Sequence, residues 1–195
     1  MGTKVEIVPY DASWPLKFEK IRQDIQLLLP GKFLDIDHIG STAVVGLSAK
    51  PCIDVDIILN DLTEMDFCRA ALEDAGYAPR GSRYGDGVWA FLRRGALLHQ
   101  RLYVCPPDSL THTRRVLFRD RLRENSDLAL QYQRLKLQLA QKYEYDGDAY
   151  TRAKTDFINT IIDAAMRDIE DNAKAAVSGL RCEVRIIGAV TGHHT

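Results

Sequence analysis

The chain has 195 residues, 46% hydrophobic and 27% charged, with a formal net charge of −1. A chain of this size buries roughly two-thirds of its unfolded surface, so folding needs neither a disulfide nor a structural metal. The near-neutral balance argues against a broad polybasic surface for nucleic acid or membrane and leaves room only for a local basic patch.

Val5–Val8 reads as a short strand broken by Pro9. Ser13 is placed to cap a helix with Pro15 in its first turn, and Phe18, Ile21, Ile25 and Leu28 recur at helical spacing until Pro30-Gly31. Phe33–Ile39 predicts a strand ended by Gly40, and Thr42–Pro51 a loop or short helix. Ile53–Leu59 is the clearest strand, with Val55, Ile57 and Leu59 on one face and Asp54, Asp56 and Ile58 on the other. Asp61 and Glu64 have capping-box spacing for a second helix, which Gly76 closes. Gly81–Gly87 reads as a loop, followed by a hairpin of Val88–Arg93 and Leu97–Val104 joined through Arg94-Gly95-Ala96. From Ser109 to about Asp171 the signal is helical, with breaks near Asn125-Ser126 and Asp146-Gly147 that predict three helices. Residues 172–195 read as a tail with one further strand at Arg181–Val190 and a frayed end at Gly192–Thr195.

The expected fold class is α/β (α+β): a mixed sheet with flanking helices and a helical C-terminal half. The expected organisation is a single domain over residues 1–171, with a sheet-containing core at 1–107 and the helical half at 108–171. Trp14, Phe18, Trp89, Phe91, Phe118, Phe157 and Ile161 are assigned to the core. Cys52, Cys68, Cys105 and Cys182 form no C-x-x-C pair or zinc spacing and read as reduced packing thiols. No apolar run approaches the ~18 residues of a membrane span. The N-terminal Met1–Glu6 lacks the apolar core of a signal peptide, so the expected compartment is the cytoplasm.

Asp54 and Asp56 project from the same strand face, roughly 6–7 Å apart along it. That geometry suits a hard divalent cation, Mg2+ or Mn2+, which would relieve their repulsion and neutralise phosphate charge. The plainer alternative is a strand end whose acids meet solvent or pair with Lys50 or Arg93. Twelve residues separate Ser41 of the Gly40-Ser41 turn from Asp54. Such a turn lets backbone N–H groups and a hydroxyl come close to phosphate. A Gly-Ser turn followed by an apolar-flanked D-x-D strand is the general signature of the nucleotidyltransferase fold.

The run His38-Ile39-Gly40-Ser41-Thr42-Ala43-Val44-Val45-Gly46-Leu47-Ser48-Ala49-Lys50-Pro51-Cys52-Ile53-Asp54 resembles the hallmark of GrpB-like proteins. So do Val8-Pro9-Tyr10-Asp11 with Trp14-Pro15, Leu117–Arg123, Leu135-Lys136, Leu139-Ala140, and Tyr150 with Ala153-Lys154 and Phe157-Ile158. The resemblance spans residue 4 to about 166. Val45 stands where the family usually has proline, and the tail beyond about 172 lies outside it. The resemblance implies a nucleotidyltransferase fold with a helical C-terminal half but no well-defined reaction. In some bacteria a similar domain is fused to dephospho-coenzyme A kinase, and the resemblance thereby implies an accessory role in folding as an alternative to catalysis.

Active nucleotidyltransferases carry a third carboxylate on a neighbouring strand. Leu97–Val104 offers none; one face presents His99, Arg101 and Tyr103, and the resemblance implies histidine in this region. His99 serves as base or metal ligand, or as a hydrogen-bonded strand residue. Arg101 serves phosphate, or pairs with Asp54 or Asp56 in a retired site. Asp86 in its glycine-flanked loop is a distant substitute acid. His38 either contacts substrate or closes the turn, and Lys50 is a phosphate contact or a solvated lysine. Arg115, Arg119 and Arg123 stack at i, i+4, i+8, as a solvated face or as one wall of an anionic cleft, with Lys136, Tyr150 and Lys154 in the same reading. The expected site is thus Asp54, Asp56, His99 and Arg101 for chemistry, with Asp54 and Asp56 holding the metal. His38, Gly40, Ser41, Thr42, Lys50, Arg119, Lys136 and Lys154 hold the nucleotide.

The leading expectation is a nucleotidyltransferase-like protein that binds a nucleoside triphosphate with Mg2+, with transfer to a small-molecule acceptor as its further step. Binding is favoured over turnover because the third acid is missing. Phosphate-ester hydrolysis with the same metal pair is a lesser alternative. The other is a non-catalytic module serving binding or folding assistance, which would tolerate Asp54→Asn and Asp56→Asn because two repelling acids are removed. No aromatic interleaving marks the basic run, so no nucleic-acid partner is expected. Acceptor, base preference and oligomeric state are left open.

Overall fold

The computed structural model describes residues 4–82, 84–95 and 98–190, with side chains through Ala175. The Met1-Gly2-Thr3 start, Ala96-Leu97 of the hairpin link and the Gly192–Thr195 end lie outside the described residues.

Helix α1 (Trp14–Leu28) buries Trp14, Ile21 and Ile25 along one stripe. Its cap differs from expectation. Ser13 already has helical backbone angles and makes no cap bond. Instead its N–H and Oγ donate to Asp11 Oδ1 at 2.8 and 2.6 Å, so the acid fixes the helix entry. The strand expected at Val5–Val8 reduces to a single bridge between Val8 and Ala49, because Pro9 has no N–H with which to extend the pairing.

Five strands form one sheet: β1 (Phe33–Ile39), β2 (Cys52–Leu59), β3 (Ala78–Ser82), β4 (Trp89–Arg93) and β5 (His99–Cys105), in the order β1-β2-β5-β4-β3. Only the β2–β5 pair is parallel. β3 corrects the sequence reading, which began a loop at Gly81. Pro79 and Gly81 are tolerated because β3 is an edge strand whose register shifts between them. Helix α2 (Met65–Asp74) follows a short 3-10 turn at Leu62–Glu64, where Asp61 accepts from the Thr63 N–H.

One sheet face, with Ile53, Val55, Ile57, Leu59, Leu102 and Val104, packs on Ile21 and Ile25 of α1 and on Cys68 and Leu72 of α2. The other face carries the acids. Among the described residues Cys52, Cys68 and Cys105 are free, buried thiols.

Beyond the sheet come α3 (Leu110–Glu124), α4 (Ser126–Lys142), α5 (Gly147–Arg152) and α6 (Thr155–Val190). Asn125 and Asp146 cap α4 and α5 by accepting from the N–H groups of Leu128 and Ala149. The third expected helix is therefore two, divided at Ala153-Lys154. The strand expected at Arg181–Val190 is also corrected, since α6 runs through Val190. Its β-branched residues mimic a strand, but extending an existing helix adds one hydrogen bond per residue fixed. Among the described residues no helix is long and apolar enough to cross a membrane.

Candidate functional site

The Gly40-Ser41 turn seats directly on β2. Gly40 has φ 72° and ψ −172°, a region open essentially to glycine alone. A Cβ there would lie 2.8 Å from Asp54 Oδ2, so the missing side chain is what lets turn and carboxylate touch. Thr42 Oγ1 donates to the Cys52 carbonyl at 3.3 Å, which leaves it to accept from His38 Nε2 at 3.0 Å. The His38 ring stacks on Phe18 with centroids 4.6 Å apart. Burial, and then the Arg123 and Arg119 charges, hold its pKa down to about 4, so a neutral His38 closes the turn from inside.

The two acids of β2 have different fates. Asp54 is partly exposed and accepts from Arg101 Nη1 at 3.1 Å. Asp56 is 0% exposed. Its Oδ1 accepts from Arg115 Nη1 at 2.7 Å, and its Oδ2 lies 3.0 Å from His112 Nδ1. Directly across β1 stands Asp37, a third acid on the neighbour that the sequence reading did not search. Its Oδ2 is 3.4 Å from His112 Nε2 and its Oδ1 is 3.2 Å from Arg119 Nη1. The Arg115 guanidinium lies 3.8 Å from the Tyr103 ring centre.

Arg115 and Arg119 of the α3 row face the protein, against the solvated-face reading, while Arg123 stays exposed and also meets Asp120 as that reading expects. Arg115 meets Asp56, and Arg119 meets Asp37 and the His38 carbonyl. Arg123 donates through Nε and Nη2 to the Ala43 carbonyl at 3.0 and 2.9 Å. Arg119 is therefore spent on β1 and lines no part of the lysine cavity described below. Asp86 accepts from Ser109 Oγ, Thr111 N–H and Thr111 Oγ1 at 2.7, 2.8 and 3.0 Å, so it staples the start of α3 and is no substitute acid.

A divalent cation bridging Asp54 and Asp56 does not fit this arrangement. Both Asp56 oxygens are engaged behind Arg115 and His112, and guanidinium groups already relieve the repulsion a metal would relieve. Among the described residues no three His, Cys, Asp or Glu side chains are grouped as a metal site.

Beside Asp54 the turn opens onto a cavity of about 150 Å3 whose lining includes Ser41, Thr42, Lys50, Arg101, Lys136, Tyr150 and Lys154. Lys136 is 2% exposed and donates to the Ser48 carbonyl. The Lys50 and Lys154 amines lie 4.1 and 4.3 Å from the Tyr150 ring centre. Burial and then the Lys154 charge push the Lys136 pKa down to about 7. Burial and then the Lys50 charge push Lys154 down to about 8. Lys50 is lowered by burial and then by Arg101. His99 does not join this group. It pairs with Cys52 at the start of β5, lines a separate cavity with Asp11 and Lys17, and leaves its buried Nδ1 without a partner.

The crowded lysines give a pH dependence with a definite sign. Below pH about 7 the folded and unfolded chains both carry the Lys136 proton, and the folded state bears the full desolvation cost. Between about 7 and the ordinary 10.5 the unfolded chain binds a proton that the folded chain has released, so stability rises with pH. Urea unfolding just below pH about 7 and again near about 9 is expected to show this rise, and Lys136→Met is expected to flatten it. An equal rise in Lys136→Met would assign it to other groups.

Fold and site together define an α/β protein whose Gly-Ser turn rests on a strand carboxylate beside a lysine-lined cavity. The chain belongs to the GrpB family, whose family model, described as GrpB protein, matches residues 4–164. It is 36% identical to the UPF0157 protein PA4798 of Pseudomonas aeruginosa, over 84% of this chain and 68% of that one. It is 29% identical to the UPF0157 protein YqkA of Bacillus subtilis over 84% of this chain, and the match spans only 48% of that longer relative. The crystal structure of conserved protein GrpB from Enterococcus faecalis superposes with a TM-score of 0.76 at 31% identity, covering 84% of this chain and 99% of that one.

Proposed function

We propose that this GrpB family protein is a nucleotidyltransferase-like binding protein that holds the phosphate end of a nucleotide at the Gly40-Ser41 turn. One observation carries the reading. The turn touches Asp54 and opens onto a cavity where Lys50, Arg101, Lys136 and Lys154 converge with Asp54 as the sole carboxylate in the lining. Burial first, and the neighbouring cations second, lower each lysine's affinity for its proton, and an anion among them would offset that cost. The hydroxyl of Ser41 supplies a neutral hydrogen-bond partner at the rim.

The engaged acids favour binding over nucleotidyl transfer. Asp54 and Asp56 are each committed to an arginine, so the metal-dependent transfer expected from the D-x-D strand has no free carboxylate pair.

The test is a thermal-shift screen of nucleoside triphosphates on the native chain and on Lys154→Met. A ligand at ~100 Kd is expected to add about 2.7 kcal/mol of apparent stability, with most of the gain lost in the variant. If no nucleotide stabilises the native chain, the proposal falls and the folding-assistance alternative takes its place.

A further inference from the structure

We infer that the lysine-lined cavity takes a phosphate group as the bare anion, without a divalent cation, and that the acid row of the sheet recruits arginine instead of metal. The inference rests on the phosphate-binding reading above and adds the chemical state of the ligand.

The charges of the whole site divide into two groups. Along the acid row, Asp56 meets Arg115 and His112, Asp37 meets Arg119 and His112, and Asp54 meets Arg101. Every carboxylate there has its own guanidinium, so the row has no unmet demand for a cation. The lysines are the reverse case. Lys50, Lys136 and Lys154 face the cavity, and their close partners are the Tyr150 ring, the Tyr132 ring and the Ser48 carbonyl, none of which carries charge. The unmet demand is for negative charge.

Donor supply agrees. An ammonium has three N–H groups, and Lys136 spends one on Ser48. Arg101 gives Nη1 to Asp54, and a guanidinium has five N–H donors in all. Charge decides against the metal complex. A cavity of about 150 Å3 holds the equivalent of about five waters at ~30 Å3 each, room for one phosphate group or two linked ones. A magnesium phosphate offers the lysines less negative charge than the bare anion does. The ligand class is a terminal phosphate of a phosphomonoester, or pyrophosphate, presented metal-free.

The experiment titrates inorganic pyrophosphate calorimetrically into the native chain, first with EDTA and then with Mg2+ in excess over the anion. Inorganic phosphate and adenosine triphosphate serve as parallel arms to separate a small free anion from a nucleotide tail. Binding is expected in EDTA and is expected to weaken about tenfold or more once Mg2+ complexes the anion. Lys154→Met and Lys136→Met are each expected to cost about tenfold in affinity with EDTA present. Lys154→Met is the decisive variant if Lys136→Met folds poorly. Binding that requires Mg2+ would overturn the inference and leave the phosphate-binding reading standing. No binding in any arm would overturn both. Undiminished affinity in Lys154→Met would place the anion elsewhere and overturn the inference.

Discussion

Asp56→Asn is expected to destabilise the protein by about 3–5 kcal/mol, the cost of leaving a buried charge without its partner. The D-x-D spacing alone argues the opposite sign, because removing one of two like charges on a strand relieves repulsion. The packing around β2 reverses it. Asp56 is 0% exposed, and its two oxygens meet Arg115 at 2.7 Å and His112 at 3.0 Å. Asparagine keeps the shape but leaves the Arg115 guanidinium uncompensated against Tyr103 and Tyr84. Asp54→Asn is expected to cost far less, since Asp54 and Arg101 are both partly exposed and solvent screens the pair. Urea unfolding of the two variants side by side reads the difference.

Gly40→Ala is the second large effect. The backbone angles at Gly40 alone cost a non-glycine residue about 1–3 kcal/mol. The new Cβ would also sit 2.8 Å from Asp54 Oδ2 and 3.2 Å from Asp54 Cβ. Rotating the Asp54 carboxyl clears the Oδ2 contact but not the one to Asp54 Cβ, so part of the relief comes from moving the turn off β2, which displaces Ser41 from the cavity rim. Stability and anion affinity should therefore fall together. Gly31 makes the control: its φ is also positive, at 70°, but a Cβ there meets nothing within 4 Å. Gly31→Ala should lower the unfolding midpoint modestly and leave anion binding unchanged. Equal losses of binding in both variants would contradict the role given to Gly40.

Local periodicity carried the reading a long way. β2, with Val55, Ile57 and Leu59 inward and Asp54 and Asp56 opposite, follows from a two-residue repeat that the chain states openly. Asn125 and Asp146 mark helix starts because their side chains accept N–H bonds three residues on. Ser41, Lys136 and Lys154 stand in the motifs the sequence displays and line one cavity, joined by Lys50, which the sequence leaves between a phosphate contact and a solvated lysine.

What was not legible depends on how elements dock. Arginine is polar on any scale, so the Arg115–Arg119–Arg123 row reads as solvated until α3 is laid across the sheet. The complementary signal was present: Asp35 and Asp37 repeat on β1 the alternation of Asp54 and Asp56. Antiparallel pairing then sets Asp37 opposite Asp56. β5, the neighbour on which a third acid is expected, carries none, and the third acid stands on the other neighbour, β1. His112 was passed over because one histidine in an arginine-rich helix carries no period. Its bridge between Asp37 and Asp56 exists only in three dimensions.

Asp56 is neutralised from within by Arg115 of α3 and Asp54 by Arg101 of β5, and on this neutralisation rests the proposed anion site. A double-mutant cycle on Asp56 and Arg115 tests it most directly, using Asp56→Leu, Arg115→Met and their combination, with unfolding free energy as the readout. Each single change is expected to cost several kcal/mol, about 3–5, and the combination to recover most of the loss, a coupling far above the roughly 0–1 kcal/mol of an exposed pair. Independent, additive losses, or a stabilised Asp56→Leu, would contradict it and return Asp56 to the role of a carboxylate held ready for metal.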